Sequence, residues 1–207
     1  MNTSSAPLIF RPARPSHGHV VNCIPILETE RLILRPFTLD DASDVQRLAG
    51  DRLIADTTGA IPHPYEAGMA EEWIATHKPE FESGKGVSFA ITDRNAGSLI
   101  GAISLMGMSP GHKAELGYWI GRPFWNQGFC TEAARAVVRY AFKDLDLVRV
   151  HSSHYARNPA SGRVLRKIGL RHEGLRRCHV RNRDRLEDLE IYGLLKSDWT
   201  GISDPLR

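Results

Sequence analysis

The feature that most constrains the fold is an uninterrupted succession of strand, glycine turn, long helix and second strand. An apolar strand at Glu115–Ile120 leads into the turn, and a second apolar strand runs from Leu147 to Ser153. From Thr131 onward, charged residues follow one helical stripe and apolar residues follow the other. Two strands joined through a helix form a βαβ unit, whose helix packs its apolar stripe on the sheet. The succession therefore predicts a layered α/β fold.

The turn that opens this helix is a candidate anion site. The first turn of a helix has amide N–H groups without partners and carries the positive end of the helix dipole, so it attracts anions. Gly128 lies at this point and would let the backbone approach a phosphate group closely. A glycine before a helix more often only closes a tight turn, so this feature alone leaves a purely structural interpretation open.

The rest of the chain alternates strands and helices. We predict a strand at Arg31–Pro36, helices from Thr38 to near Gly50 and over about Tyr65–Phe81, and strands at Val87–Thr92 and Leu99–Leu105. Asp40 and Asp41 follow Thr38, which is the charge placement that a helix start favours. The two later strands form a β-meander that leads into Lys113–Ile120.

Length and composition indicate one soluble domain. The chain has 207 residues, of which 42% are hydrophobic and 25% charged, and no apolar run approaches the ~20 residues of a membrane helix. Cys23, Cys130 and Cys178 have no CxxC spacing, which fits neither a disulfide framework nor a zinc site. The nine histidines include no HExxH pattern, so no metal site is expected. We expect a cytoplasmic protein without a membrane contact.

The ends of the chain differ from its centre. Residues 1–26 contain no acidic residue, carry Arg11 and Arg14, and are rich in hydroxyl, proline and small residues. A transit peptide is poor in acidic residues too, but the prolines in this segment would break the amphipathic helix that such a signal needs. We predict a flexible N-terminal tail at 1–26, one domain at 27–200 and a short C-terminal tail at 201–207.

A resemblance to a known family accounts for several of these segments together. The run Trp125–Ala133 resembles the pyrophosphate-binding loop of the GNAT N-acetyltransferases, in the ribosomal-protein N-terminal acetyltransferase (RimJ/RimL-like) branch. Other segments typical of that branch follow in order, namely Leu27–Pro36, Ser98–Ser104, Asn158 with Ser161, Lys167–Leu170 and Glu190–Leu194. The resemblance covers about residues 26–200. It implies a single-domain GNAT fold with a mixed, mostly antiparallel twisted sheet of about seven strands, splayed at the cofactor site and flanked by about four helices.

The resemblance implies acetyl-CoA as the co-substrate. The turn and the first residues of the helix would hold the pyrophosphate, and the backbone near Trp119 and Ile120 would bond the pantetheine arm as an added strand. Arg163 and Lys167 share a helix face and would reach the 3′-phosphate. The candidate cofactor-binding residues are Trp119, Ile120, Gln127, Gly128, Phe129, Cys130, Thr131, Asn158, Ser161, Arg163 and Lys167. The side chains of Leu116, Tyr118 and Trp119 are interpreted as core or half-buried strand residues.

Two residues are candidates for catalysis. Glu115 would act as a general base, through a water, on the attacking amine; a surface carboxylate at a strand end is an equally weighted interpretation. Many relatives protonate the CoA thiolate with a tyrosine at the position of Leu165. Here Ser161 matches the serine that the ribosomal-protein branch places near the sulfur. Asn158 with the following proline is also an ordinary helix start, and both interpretations can hold together.

One residue departs from the family pattern. Cys130 takes a loop position that usually holds glycine or alanine. A thiol is only slightly larger than alanine, so we expect phosphate binding to survive. Because Cys130 lies at a helix N-terminus, we predict a lowered pKa and unusual reactivity, without assigning it as a nucleophile.

The expected activity is direct acetyl transfer to a primary amine. The resemblance favours a protein N-terminal α-amine of the ribosomal-protein type, with a small amine or amino acid metabolite as the alternative. The basic stretch Arg163–Arg185 and the net charge of +3 leave open a ribosome or RNA contact through Arg176–Arg185. A catalytically degenerate RNA- or protein-binding module on the same fold is the second alternative. A monomer and a homodimer are both compatible with the sequence.

A serine hydrolase is rejected on physical grounds. The segment Gly107–Gly111 satisfies the GxSxG pattern, but the residue after its serine is Pro110, which has no N–H for an oxyanion hole. A strand rather than a helix is predicted to follow. The pattern therefore lacks the structural context of a nucleophile elbow.

Overall fold

The element order of the computed structural model, which describes residues 23–201, follows the predicted alternation. The strands are β1 (Leu27–Glu28), β2 (Leu32–Arg35), β3 (Val87–Asp93), β4 (Leu99–Ser109), β5 (Lys113–Ile120), β6 (Arg149–Tyr155), β7 (Arg171–Asn182) and β8 (Arg185–Leu195). The α-helices are α1 (Ala42–Ala49), α2 (Arg52–Ala55), α3 (Met69–Glu82), α4 (Phe129–Lys143) and α5 (Pro159–Lys167). The predicted tails fall largely outside the described residues, at 1–22 and 202–207.

All eight strands belong to one sheet with the order β1-β2-β3-β4-β5-β6-β8-β7. Neighbouring strands are antiparallel except β5 and β6, which are parallel as the βαβ prediction requires. The mixed α/β fold is therefore confirmed, with eight strands and five α-helices in the part of the chain that is described. The elements beyond the predicted numbers include short ones, the two-residue β1 and the four-residue α2.

The sheet opens between its two parallel strands. β5 and β6 pair only where Lys113–Glu115 lies beside Arg149–His151. The Ser152 hydroxyl then donates to the Leu116 carbonyl oxygen at 2.7 Å, and beyond this bond β5 continues along β4 while β6 continues along β8. The predicted splay of the sheet is thus confirmed, and it leaves a gap with β5 on one side and β6 on the other.

Helices cover both faces of the sheet, and the sheet lies between two apolar clusters. On one face α4 and α5 bury residues such as Val137 and Leu165 against the strands, and on the other α1 and α3 cover a smaller cluster that includes Trp119. Because side chains alternate along a strand, Leu116, Tyr118 and Ile120 of β5 face α4, whereas Glu115 and Trp119 face the α1 and α3 side. A single strand therefore presents side chains to both layers at the gap.

Two boundaries differ from the prediction for local reasons. Helix α3 starts at Met69 rather than Tyr65, because Gly68 precedes it with a φ of 90° that no helical residue adopts. The basic stretch after Arg171 forms a long hairpin, β7 and β8, for which no strand was predicted; the segment Glu190–Leu194, named above only for its resemblance to the family, lies in β8. None of the helices in residues 23–201 is long and apolar enough to cross a bilayer.

Candidate active site

The gap in the sheet opens into a cleft of about 1750 Å³. Strands β5 and β6, the first turns of α4 and α5, helix α3 and the loop after α2 all contribute to its wall. The predicted site residues that line it are Glu115, Trp119, Ile120, Gly128, Phe129, Cys130, Thr131, Asn158, Ser161, Arg163 and Lys167. Gln127 is not in this wall, since its side-chain amide donates to the Pro123 carbonyl oxygen at 2.9 Å within the turn.

The turn before α4 leaves the helix N-terminus open to the cleft. Asn126 and Gly128 both adopt left-handed backbone conformations, with φ of 60° and 84°. Gly128 is the N-cap of α4, so no side chain accepts a hydrogen bond from the first amides of this helix. Unpartnered amides at the positive end of a 15-residue helix form a favourable site for a phosphate group.

Arg31, the residue before β2, supports this turn. Its guanidinium donates to Glu132 Oε2 at 2.7 Å and to the Gln127 carbonyl oxygen at 3.1 Å, and it lies 4.5 Å from the centre of the Phe129 ring. Burial alone would raise the pKa of Glu132, but hydrogen bonds from Thr29 and Arg31 lower it overall. Arg31 therefore places a positive charge beside the open helix end. Sequence analysis missed this role, because the arginine and Glu132 are 101 positions apart.

The backbone of β5 faces the gap at alternate residues. The Leu116 carbonyl accepts from Ser152 of β6, so the backbone groups of Tyr118 and Ile120 point to the same side, while those of Trp119 point to β4. The Ile120 carbonyl accepts from the Trp125 indole N–H at 2.6 Å. Of the two predicted backbone positions, Ile120 therefore faces the gap, and Tyr118 rather than Trp119 accompanies it.

Glu115 lies at the fork itself, half-buried on the α1 and α3 side. The Ser153 hydroxyl of β6 donates to its Oε1 atom at 3.5 Å, and His151 lies opposite in the parallel register. Burial lowers the pKa of His151, with Glu115 opposing the effect and Arg149 and Lys113 adding to it. At neutral pH the carboxylate thus has an uncharged imidazole beside it.

Ser161 lies in the first turn of α5, where Asn158 is the N-cap. The Asn158 side chain accepts from the Ser161 N–H at 3.4 Å, which is the helix-start role that the sequence indicated. The Ser161 hydroxyl is 2.9 Å from the Tyr118 hydroxyl, whose pKa is raised mainly by burial. Leu165, at the position of the family tyrosine, is fully buried in the core. Tyr118 was interpreted as a core or half-buried strand residue, which says nothing about the partner of its hydroxyl.

The expectation for Cys130 is wrong in its direction. Burial raises the pKa of the Cys130 thiol, whereas its place at a helix N-terminus predicted a lowered one. The side chain packs against the core cluster between sheet and helix, and the cost of desolvating a thiolate there exceeds the attraction of the helix dipole. Cys130 is a small apolar filler in the cleft wall.

The other end of the cleft lies beneath α3 and is largely aromatic. His77 packs against Phe37 and Trp73, with ring centres 5.2 Å and 4.4 Å away, and burial lowers its pKa to about 4. The Ser88 and Ser104 hydroxyls bond each other at 2.8 Å on the sheet below. Glu72, Glu80 and Lys85 also line this end of the cleft, so aromatic, hydroxyl and charged side chains lie there together. A mixed surface of this kind suits an organic amine acceptor.

The loop after α2 is tied to the basic hairpin through Asp56. Arg183 donates to the Asp56 carboxylate, and Arg157 donates to its backbone carbonyl oxygen. Arg157 also holds Glu187 of β8, which is 6% exposed. These contacts hold the loop after α2 against the hairpin, and the neighbouring residues Thr57, Val180 and Leu189 line the cleft.

Two other chemistries find no support within residues 23–201. Ser109 ends β4 and a tight turn leads straight into β5, so the GxSxG pattern has no helix behind it. No group of three or more His, Cys, Asp or Glu side chains in the described residues could hold a metal ion.

Known proteins are similar to this chain in sequence and in fold. The model of the acetyltransferase (GNAT) domain family matches residues 31–171. The chain is 31% identical over 173 residues to the uncharacterized N-acetyltransferase YoaA of Bacillus subtilis, covering 83% of this chain and 97% of that protein. It is 26% identical over 151 residues to the [ribosomal protein uS5]-alanine N-acetyltransferase of Escherichia coli, covering 71% and 74%. The structure of RimL, a ribosomal L7/L12 α-N-protein acetyltransferase solved in complex with coenzyme A, matches with a TM-score of 0.76 at 17% identity, covering 83% and 98%.

Proposed function

This chain belongs to the acetyltransferase (GNAT) domain family, and we propose that the acceptor of its acetyl group is a protein N-terminal α-amine. The chain is an N-acetyltransferase with acetyl-CoA as its co-substrate.

The observation that carries the proposal is the fork between β5 and β6. Glu115 lies at the fork on the α1 and α3 side, whereas Ser161 approaches the gap from α5 on the other side. The pantetheine arm lies in the gap beside the backbone of Tyr118 and Ile120, and the pyrophosphate lies on the open N-terminus of α4. The acceptor amine then enters beneath α3 and the sulfur lies at Ser161.

The chemistry needs only modest help from the protein. The amine nitrogen attacks the thioester carbonyl carbon, the C–S bond breaks with its electron pair on sulfur, and the amine loses a proton. Glu115 receives that proton through water and passes it to solvent. A peptide α-amino group has an unperturbed pKa of about 7.7–8.0 against about 10.4 for lysine, so one carboxylate suffices for it.

A ribosomal-protein substrate is the specific form of this proposal. The name of the relative from Escherichia coli says that it acetylates an alanine of ribosomal protein uS5. The β7–β8 hairpin presents Arg176, Arg177, Arg181 and Arg185 as exposed side chains next to the acceptor end of the cleft. A basic surface attracts RNA or an acidic protein, which suits an enzyme that acts in the cytoplasm on ribosomal components.

The test is an acceptor screen on the purified protein. Calorimetry measures acetyl-CoA and CoA binding, and a thiol-release assay then compares N-terminal peptides beginning with Ala or Ser against small amines and amino acids. We expect the highest kcat/KM with an N-terminal peptide. A small amine as the best acceptor, or acetyl-CoA binding with transfer to none of the peptides, would overturn the proposed acceptor.

The role of Glu115 is tested with the same acceptor. We expect Glu115→Gln to lower turnover most below neutral pH, where the amine is protonated, and to leave CoA affinity within about twofold. Glu82→Gln, at the exposed end of α3, serves as the matched control. An unchanged pH profile in Glu115→Gln would remove this residue from the role of base.

A further inference from the structure

A pair of hydroxyl groups joins the two elements that border the gap. Tyr118 comes from β5 and Ser161 from the first turn of α5, and their hydroxyl oxygens are 2.9 Å apart. The Tyr118 hydroxyl also lies 3.2 Å from the Ser161 carbonyl oxygen. Both residues line the cleft, so the contact forms part of its wall rather than the remote core.

The direction of this hydrogen bond decides what Ser161 can do. Each hydroxyl has one proton, and a phenol is the more acidic and therefore the better donor. Burial raises the pKa of Tyr118, so the phenol keeps its proton throughout the neutral range. The Ser161 carbonyl lies inside α5, where the helix ladder supplies it with a partner, and it is the more distant of the two acceptors. The shorter distance and the more acidic phenol therefore favour Tyr118 as the donor and Ser161 Oγ as the acceptor.

We infer that Tyr118 is a positioning residue for acetyl transfer, which donates to Ser161 Oγ and so leaves the serine proton free to point at the CoA sulfur. When the C–S bond breaks, its electron pair goes to sulfur and the Ser161 O–H donates a hydrogen bond to the departing thiolate. The serine keeps its proton, and the thiolate takes one from solvent after release. Because hydrogen bonds in a chain polarise one another, the phenol strengthens the serine as a donor.

The neighbouring groups do not offer this function. Leu165 has no hydroxyl, and the Cys130 thiol packs in the core cluster. The Tyr192 hydroxyl accepts from Arg166 at 2.8 Å, and Tyr192 is 3% exposed and lies outside the cleft wall. Tyr155 lies toward the acceptor loop, where its hydroxyl approaches Gly59. Tyr118 is thus the tyrosine that reaches Ser161 in the described part of the chain.

The experiment is a double-mutant cycle with Tyr118→Phe, Ser161→Ala and the double variant. Tyr118→Phe removes one oxygen and keeps the ring in place. Tyr140→Phe is the matched control, since Tyr140 is 7% exposed, packs edge-on against Phe89 and does not line the cleft. The readouts are the single-turnover rate of acetyl transfer, with whichever amine proves the best acceptor, and the CoA dissociation constant by calorimetry.

We expect Tyr118→Phe to slow the single-turnover rate about tenfold, with the CoA dissociation constant within about twofold of wild type. In the Ser161→Ala background the same substitution should change the rate by less than about twofold, because the hydroxyl that it positions is gone. Tyr140→Phe should leave both quantities unchanged. If the Tyr118 hydroxyl contributed only to packing, Tyr118→Phe would slow the single-turnover rate by the same factor in the wild-type and Ser161→Ala backgrounds.

This inference rests on the proposed place of Ser161 near the sulfur, and the cycle separates the two. A wild-type rate in Ser161→Ala would overturn the role of Ser161 and the inference with it. A slow Ser161→Ala with a wild-type rate in Tyr118→Phe would overturn the role of Tyr118 alone. Neither outcome depends on whether the acceptor is a peptide or a small amine.

Discussion

Replacing Gly128 with alanine tests whether the turn before α4 holds phosphate. Gly128 has a φ of 84°, and an alanine in this left-handed region costs about 1–2 kcal/mol. An added Cβ would lie 3.4 Å from Arg31 Nη2, which is an ordinary contact, so the fold should tolerate it. The methyl group would nevertheless stand beside the open amides of α4, where a phosphate oxygen must approach.

The expected loss in binding follows from that position. A hydrogen bond to a charged group contributes about 1.5–3 kcal/mol, so losing one backbone contact to the pyrophosphate raises the CoA dissociation constant about 10- to 100-fold. Gly97→Ala is the matched control, because Gly97 has a φ of 69° in the β3–β4 turn and nothing lies within 4 Å of its added Cβ. Both variants should lose similar thermal stability, and only Gly128→Ala should lose CoA affinity.

The assay combines calorimetry with CoA and turnover with two acetyl donors. Acetyl-pantetheine lacks the pyrophosphate, so its KM should change little in Gly128→Ala while the KM for acetyl-CoA rises. If CoA binds Gly128→Ala within about twofold of wild type, the phosphate does not lie at this turn. An equal rise in KM for both donors would assign the effect to the pantetheine gap instead.

Two further predictions concern the surroundings of the cleft. Arg31→Met removes the guanidinium from Glu132 and from the Gln127 carbonyl, and with an arginine side chain 44% exposed we expect a rise of about fivefold in the CoA dissociation constant. Arg94→Met breaks an ion pair with Glu28 away from the cleft and should leave the CoA dissociation constant unchanged. If both variants raised this constant equally, Arg31 would have no special role in supporting the turn. Burial lowers the pKa of His77 from 6.5 to about 4. Between pH 6.5 and pH 4 the unfolded chain therefore binds a proton that the folded chain does not, so the free energy of unfolding falls by about 3 kcal/mol as the pH falls through this range. Chemical unfolding at pH 7 and pH 4.5 should show a smaller difference in His77→Phe than in wild type, and identical differences would contradict the assignment.

The sequence predicts the cofactor half of the molecule well because its signals are local. Helical periodicity places α4 after Gly128, and strand patterns place β5 before it and β6 after it. The parallel pairing and the α/β class follow from that order. The start of α5 is also predicted by a local signal, because Asn158 followed by proline is typical of a helix start, and Asn158 is the N-cap of α5 in the structure.

The features that sequence analysis missed are contacts between distant segments. The bond from Arg31 to Glu132 spans 101 positions, and the one between Tyr118 and Ser161 spans 43. Alternation in β5 correctly assigns Tyr118 to the inner layer, but it says nothing about what the hydroxyl meets there. At Cys130 two effects on the thiol pKa oppose each other, and burial, which raises the pKa, outweighs the helix dipole, which lowers it. The extent of burial is known only from the packed structure.

In the proposed mechanism, the pleat of β5 places the group that acts on the acceptor amine and the group that acts on the leaving thiolate on opposite faces of the sheet. Glu115 and Tyr118 are three residues apart in an extended strand, so their side chains point to opposite faces and lie roughly 10 Å apart along it. The same spacing on a helix would put both on one face. An extended strand therefore allows Glu115 to serve the acceptor side while Tyr118 reaches Ser161 on the sulfur side. The parallel pairing of β5 and β6 ends at Glu115, and the gap beyond it is the proposed place of the thioester. A register slip of one residue would exchange the two faces and remove both functions together.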